Sequence, residues 1–153
     1  MVTVTYSQSA GTLTRSGNAS INDSTGMGQS VTLIATDRVL VKDQVETRQN
    51  GIYVVTTVGD GSAAFVLTRA DDANIATEIT GGTFTFVEEG TNADNGYVFT
   101  HNGTPTINDS TLGNNTPLTV SQFSGAGQIT AGEGLTKSGN VINVIGGTTI
   151  DAD

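Results

Sequence analysis

His101 and a few carboxylates are the residues whose types could perform acid–base or metal chemistry in this sequence. His101 is the only histidine, so a Ser-His-Asp site or a histidine-ligated metal would depend on it. It ends a predicted strand and precedes Asn102-Gly103, a pair typical of exposed turns. We therefore expect His101 to be a solvated surface residue.

The carboxylates that could form a glycosidase pair or a calcium site are Asp71-Asp72, Glu88-Glu89 and Asp94. Either chemistry needs side chains that converge on one point, and consecutive strand residues point to opposite faces. Glu88 and Glu89 end a predicted strand, where charged side chains discourage pairing with other chains. No GxSxG, P-loop, HExxH or EF-hand pattern occurs. We expect no catalytic residue, no metal site and no cofactor.

Composition removes further classes of site. The chain contains no Cys, which excludes disulfides, thiolate zinc sites and cysteine nucleophiles. Six basic residues against fifteen acidic ones give a formal net charge of −9. Nucleic acids and anionic membranes need a basic surface, so we expect no nucleic-acid partner and no membrane insertion.

The aromatic residues are three Tyr and five Phe, without Trp. A sugar-binding module would typically expose such rings as a platform. Here Phe84 and Phe86 share one face of a predicted strand, and Tyr97 and Phe99 share a face of the next. We expect these side chains to pack in the core, which leaves carbohydrate binding unsupported by the sequence.

Short runs of β-forming residues with period-two alternation predict eight strands. They cover residues 2–6, 30–35, 38–42, 51–58, 63–69, 83–88, 96–100 and 118–123, and turn pairs such as Asn50-Gly51, Asp60-Gly61 and Asn95-Gly96 separate them. The pattern predicts an all-β fold, an antiparallel β-sandwich or barrel with terminal β-hairpins. At most one short helix is expected, over residues 71–79 with Asp71 or Asp72 as its N-cap, and an irregular loop is the alternative there.

Two stretches share the order Leu-Thr-basic-Ser-Gly-Asn, at residues 13–18 and 135–140. We interpret each as a strand, a Ser-Gly-Asn turn and a return strand, which is a repeated hairpin unit. The predicted organisation is an N-terminal β-hairpin segment over residues 1–29, a central β-domain over 30–124 and a C-terminal hairpin tail over 125–153. Because a lone two-stranded hairpin is marginal in water, the terminal hairpins should pack on the central domain or on other subunits.

Three of the six basic residues each stand near an acid in the sequence. We expect local ion pairs that fix strand ends, each contributing about 0–1 kcal/mol. The expected pairs are Arg38 with Asp37, Lys42 with Asp43, and Arg69 with Asp71.

An ordered series of segments carries a family resemblance. The segments are Asp37–Gln44, Asn50–Val55, Phe65–Ala70, Gly82–Thr91, Gly96–Phe99 and Ser121–Phe123. The series resembles a β-rich domain of bacteriophage tail fibres and other virion appendages, over about residues 31–124, and residues 128–140 look like the hairpin repeats that follow this domain. Members of the family often have Trp where Phe65 and Tyr97 stand, and usually belong to longer chains. The family has no catalytic residues to transfer, so the resemblance implies a structural part of a virion.

We therefore expect a non-enzymatic phage virion protein, part of a tail fibre or related appendage, that is made in the host cytoplasm without a signal peptide and released by lysis. A homo-oligomer is expected, with a trimer favoured, in contact with other virion proteins. Two alternatives remain open, namely a receptor- or carbohydrate-binding β-module acting on a host surface glycan, and a capsid decoration protein. The candidate surface of a binding module consists of two loops, with residues Asn74, Thr77, Thr80, Thr91, Asn92 and Asn95.

Overall fold

The computed structural model describes residues 3–23, 31–105, 107, 117–124, 131–138 and 141–145. Within them lie ten strands: β1 (Val4–Ser7), β2 (Thr12–Arg15), β3 (Arg38–Val41), β4 (Gly51–Thr57), β5 (Val66–Arg69), β6 (Phe84–Val87), β7 (Asn95–Phe99), β8 (Val120–Ser124), β9 (Leu135–Ser138) and β10 (Val141–Val144). The helical segments of this part of the chain are two single 3-10 turns, Thr47–Gln49 and Asp71–Ala73. The all-β prediction is confirmed. In place of a short helix, residues 71–79 hold one 3-10 turn that begins after Ala70 without a side-chain cap.

The strands form three antiparallel sheets. The largest has the order β1-β2-β5-β4-β3, the second has the order β6-β7-β8, and β9 pairs with β10 alone. Every ladder between strands is antiparallel. Over the described residues neither of the two larger sheets closes into a barrel.

One face of the five-stranded sheet carries the first core cluster. The register places Leu13, Leu67 and Val55 side by side on β2, β5 and β4, and Tyr53 lies on the same face two residues before Val55. All four are buried, and Phe65 completes the cluster from the segment before β5. The odd-numbered residues of β4 therefore point into the first core cluster, as expected for a strand with period two.

The opposite face of the same sheet packs against the three-stranded sheet. The second cluster contains Phe99 and Leu118, and Ile52, Val54 and Val120 are partly buried against it. Two bridges reinforce the contact. Asn50 donates from Nδ2 to the carbonyl oxygen of Leu118 at 2.9 Å. The ammonium of Lys42 lies 5.5 Å from the ring centroid of Tyr97. The two sheets thus pack against each other through the second cluster.

The prediction of a strand over residues 30–35 is wrong for its described part, residues 31–35. The side-chain amide of Asn22 takes the place of a neighbouring strand, because its Nδ2 donates to the carbonyl of Leu33 and its Oδ1 accepts from the Leu33 amide, both at 2.8 Å. The carboxylate of Asp37 accepts from the Ile34 amide at 2.8 Å. Thr36 then turns the chain with φ of 80°, a value that a strand cannot contain.

The two predicted hairpin units have different outcomes. Near the C-terminus, β9 and β10 pair directly across residues 139 and 140, with Val141 opposite Ser138, so that hairpin is confirmed, although its two turn residues lie outside the described part. Near the N-terminus the hairpin joins β1 to β2 instead, and Ser16-Gly17-Asn18 leads to no return strand. The second edge of β2 pairs with β5, which confirms that the N-terminal hairpin packs on the central strands. The predicted boundary at residues 124–127 extends beyond the described residues.

Candidate functional site

Three phenylalanine rings form an exposed aromatic cluster on the three-stranded sheet. The register sets Phe84 opposite Val98 and Phe86 opposite Gly96, so these residues share the sheet face that points away from the core. Phe84 is 63% exposed, Phe86 56% and Phe123 47%. We call the surface of Phe84, Phe86, Phe123, Val98 and Gly96 the Phe face.

The rings of the Phe face contact one another edge to face. Their centroids are 6.2 Å apart for Phe84 and Phe86, 6.1 Å for Phe84 and Phe123, and 5.6 Å for Phe86 and Phe123. Such geometry is favourable for aromatic pairs. The prediction that Phe84 and Phe86 pack in the core is therefore wrong, whereas Tyr97 and Phe99 on the opposite face are buried as expected.

A bulge between β7 and β8 positions the third ring. Gly96 is opposite Ser124 and Tyr97 is opposite Gln122, which leaves Phe123 as the extra residue. The prediction of a turn at Asn95-Gly96 is wrong, because both residues belong to β7. The chain turns earlier, where Gly90 has φ of 96° and Asp94 has φ of 63°.

A row of hydroxyl groups lies beside the Phe face. Thr100 Oγ1 is 3.0 Å from Thr119 Oγ1 and 3.5 Å from Ser121 Oγ. The row adjoins an open depression of about 620 Å³, whose lining includes Val98, Thr100 and a set of backbone-rich positions, namely Gly81, Gly82, Asn102 and Gly103. Phe99 and His101 complete the lining, so the strip from the rings to the depression contains no carboxylate, lysine or arginine.

His101 is buried, and the prediction of a solvated histidine is wrong. Only 6% of the residue is exposed. Its Nε2 lies 3.1 Å from the carbonyl oxygen of Ile79 and must donate, since a carbonyl can only accept. Its Nδ1 is buried without a hydrogen-bond partner, and its ring packs against Phe99 at 6.5 Å between centroids. His101 thus ties the segment before β6 to the end of β7.

The part of the chain that the structure describes contains no cluster of three or more His, Asp or Glu side chains able to hold a metal ion. Of the candidate carboxylates, Asp72 binds Arg38 through two hydrogen bonds of 3.0 and 3.1 Å. These bonds hold the pKa of the Asp72 carboxyl below its usual range. The predicted pairing of Arg38 with Asp37 is therefore wrong, while the pair of Lys42 with Asp43 is confirmed.

Arg69 is a buried cation, and its predicted ion pair with Asp71 is wrong. It is 2% exposed. Its Nη1 donates to the Asn50 carbonyl and its Nε to the Tyr6 hydroxyl, both at 3.1 Å, and its Nη2 donates to the Arg48 carbonyl. Among the described residues no carboxylate lies within ion-pair distance of it.

Two aromatic rings replace a carboxylate beside the Arg69 guanidinium. Its central carbon is 4.9 Å from the ring centroid of Tyr53 and 5.6 Å from that of Tyr6, distances at which a ring face attracts a cation. Burial raises the pKa of the Tyr53 hydroxyl by more than the nearby charge of Arg69 lowers it. The sequence analysis did not predict this cluster of Arg69, Tyr6 and Tyr53. The pattern that could have indicated it is an arginine on the buried face of a predicted strand.

The predicted binding loops lie at opposite ends of β6. Asn74, Thr77 and Thr80 precede this strand, and Glu78 accepts hydrogen bonds from the amides of Asn74 and Ile75 at 3.0 and 3.2 Å. Thr91 and Asn92 follow it and are exposed, while Asn95 is paired within β7 opposite Val87. The six residues therefore do not converge on one surface, and a role in binding for either loop stays a prediction.

The C-terminal hairpin presents a second exposed apolar surface. Leu135 is opposite Val144, and Ile142 lies on the same side because it is two residues from Val144. All three side chains are exposed. The other side of the hairpin carries the polar residues Thr136, Ser138 and Asn143 beside Val141 and Ile145. Apolar side chains are therefore exposed on both sides of the hairpin, and the side with Leu135 also carries Lys137.

The fold and the site define the protein as an antiparallel all-β protein with two exposed apolar surfaces. Comparison with known proteins finds no matching family model, no matching curated protein and no matching solved structure. In the described part of the chain no helix has the length and apolar character needed to cross a bilayer.

Proposed function

We propose that this chain is a non-enzymatic structural protein of a bacteriophage virion, part of a tail fibre or related appendage, and that it works as a homo-oligomer with a trimer favoured. The observation that carries the proposal is the pair of apolar surfaces, the Phe face and the C-terminal hairpin, that are exposed in the single chain. Contiguous apolar patches of this kind mark interaction sites in soluble proteins.

Charge supports association through these surfaces. The chain has a formal net charge of −9, so copies repel one another wherever acidic groups face each other. The Phe face and the hydroxyl row beside it contain no charged residue. An uncharged surface is where copies of an acidic protein can approach closely.

The assignment to a virion appendage depends on the resemblance of residues 31–124 to tail-fibre domains. The antiparallel all-β fold and the C-terminal hairpin are compatible with that resemblance. Other virion proteins are then the expected neighbours, and attachment to the particle is the expected location.

The oligomeric claim is tested by light scattering coupled to size-exclusion chromatography of the full chain. We expect a mass of three copies, and a monomer at every concentration would overturn the claim. The virion claim is tested by gold labelling of phage particles from producing cells with an antibody against the chain. Label on fibres supports it, label over the head indicates a capsid decoration protein, and particles without label overturn it.

Carbohydrate binding is the second candidate function, and the hydroxyl row beside exposed rings favours it. Sugars combine apolar C–H faces with hydroxyls, and Thr100, Thr119 and Ser121 offer neutral partners next to Phe84. The test is a glycan array with the wild-type chain and a Thr100→Ala/Ser121→Ala variant. Binding of a neutral glycan that the variant loses supports this candidate, and an array without any bound glycan contradicts it.

A further inference from the structure

We propose that the Phe face of one copy is covered by the C-terminal hairpin of a second copy. The proposal depends on the homo-oligomer proposed above and names its interface. The hairpin side with Leu135, Ile142 and Val144 would lie against the rings of Phe84, Phe86 and Phe123.

The first argument is that, within one chain, the hairpin does not cover the Phe face and both surfaces are exposed. The three rings of the Phe face and the three aliphatic side chains of the hairpin are all exposed in the single copy. A two-stranded hairpin is marginal in water without packing against another element. The hairpin therefore needs a surface, and the Phe face is an apolar surface that the described part of the chain leaves exposed.

Symmetry supplies the second argument, because it allows unlike surfaces to pair. Two different surfaces can meet head to tail in a closed ring of three, or reciprocally in a two-fold dimer, where residue i of one copy contacts residue j of the other and j contacts i. The chain offers two different apolar surfaces, one aromatic on β6 and β8 and one aliphatic on β9 and β10. Either arrangement covers both surfaces of every copy.

The buried area gives the third argument. With side chains of roughly 200 Å² each, exposed at 63%, 56% and 47%, the three rings offer about 330 Å². A stable protein interface takes about 800 Å² from each partner. The rings alone therefore fall short of this area, and pairing of two Phe faces would also leave both hairpins exposed, whereas a contact between a Phe face and a hairpin covers both apolar surfaces of each copy.

Charge complementarity agrees with the pairing. Glu88 and Glu89 are exposed directly after β6, at the border of the Phe face. Lys137 lies opposite Ile142 on the apolar side of the hairpin. Docking of the hairpin on the rings therefore brings a cation towards these two carboxylates, and charges of opposite sign favour one orientation.

Cross-linking tests the proposal directly, because the chain has no cysteine of its own. Two single variants, Ser121→Cys beside the rings and Val144→Cys on the hairpin, are mixed in equal amounts and treated with a short bis-maleimide. We expect the dominant product to join Cys at 121 of one copy to Cys at 144 of another, identified by peptide mass. Dominant 121–121 links would show face-to-face packing and overturn the proposal, as would the absence of 121–144 links between copies.

Association of the variants supplies the second readout. Phe86→Ser and Val144→Ser should each raise the dissociation constant of the oligomer about 30-fold, the effect of losing a central interface side chain. Val45→Ser removes a side chain that is 89% exposed elsewhere and should leave it unchanged. Circular dichroism of the diluted Phe86→Ser chain checks that the sheet folds.

The outcomes separate the two proposals. A wild-type chain that is monomeric overturns the homo-oligomer and with it this interface. A wild-type oligomer that Phe86→Ser and Val144→Ser leave intact overturns the interface alone. A third variant carries both Ser121→Cys and Val144→Cys. If its 121–144 link forms only within one copy, the hairpin covers the Phe face of its own chain, and the proposed contact between copies is wrong.

Discussion

The ring of Phe123 lies against the α-carbon of Gly96 on the neighbouring strand. A β-carbon at Gly96 would be 2.6 Å from Oγ of Ser124, 2.7 Å from Cζ of Phe123 and 2.9 Å from its Cε1, closer than packed atoms approach. The glycine and the bulge at Phe123 therefore together determine where the third ring of the Phe face sits.

We expect Gly96→Ala to lower the free energy of unfolding by about 1–3 kcal/mol, because the new methyl group overpacks the contact with Phe123. Urea denaturation measures the loss. Gly61→Ala is the control, since a β-carbon there meets no atom within 4 Å. In a double-mutant cycle, Phe123→Ala should cost less in the Gly96→Ala background than in the wild type, and equal costs in both backgrounds would contradict the contact.

Arg69→Met should lower the free energy of unfolding by about 3 kcal/mol or more, because it leaves the buried carbonyl of Asn50 and the partly buried carbonyl of Arg48 without their donor. Arg69→Lys should recover only part of this loss, since an ammonium cannot reproduce the planar fork of donors. Arg38→Met, at the exposed pair with Asp72, is the control and should cost about 1 kcal/mol or less. Equal losses at the two arginines would refute the account of Arg69.

The Arg38–Asp72 pair predicts a small dependence of stability on acid pH. Its hydrogen bonds lower the pKa of Asp72 in the folded state, so the stabilisation is present above the unfolded value of about 3.9 and disappears as the pH falls through the folded value. We expect Asp72→Asn to be slightly less stable than the wild type at neutral pH, with the difference vanishing in strong acid and shrinking in high salt.

The measurement is thermal unfolding of both chains across the acid range. Asp71→Asn removes the same charge one residue away and leaves the pair with Arg38 intact, which makes it the control. A difference between wild type and Asp72→Asn that persists unchanged in strong acid would show that the ion pair is not its source.

Tyr53 predicts an alkaline limit to stability. Burial raises the pKa of its hydroxyl, which donates to the Gln49 carbonyl at 2.7 Å, a bond that a phenolate cannot make. Because the pKa of Tyr53 is higher in the folded than in the unfolded state, the neutral hydroxyl stabilises the fold fully below the unfolded pKa of about 10. This stabilisation is lost as the pH rises towards the folded-state pKa. Ultraviolet titration should show one tyrosine that ionises only when the protein unfolds, and this step should be missing in Tyr53→Phe. Ionisation of Tyr53 near the unfolded value with the fold intact would contradict the prediction.

Sequence patterns predicted the strand positions well and failed where long-range contacts decide the structure. Seven of the eight predicted strands overlap observed ones, because alternation and turn residues are local signals. The eighth failed because the side chain of Asn22 pairs with the backbone of Leu33 in place of a strand, and strand alternation does not show that a side-chain amide from another segment will do so.

The candidate site was harder to predict, because alternation along a strand does not show which of its two faces is buried. Phe84 with Phe86 and Tyr97 with Phe99 show the same spacing, yet one pair is exposed and the other buried. Alternation states which residues share a face, but the position of the second sheet decides which face is covered. The positions of His101 and Arg69 were predicted wrongly for a related reason, since both are buried and donate to backbone carbonyls of other segments.

Every tyrosine of the chain lies beside a cation, which gives the protein built-in optical reporters. With no Trp, its near-ultraviolet emission arises from Tyr6, Tyr53 and Tyr97. The first two contact Arg69 inside the five-stranded sheet, and Tyr97 contacts Lys42 across the two packed sheets. Intrinsic fluorescence therefore follows the packing inside one sheet and the separation of the two sheets without any added dye, and single Tyr→Phe replacements can assign the two signals.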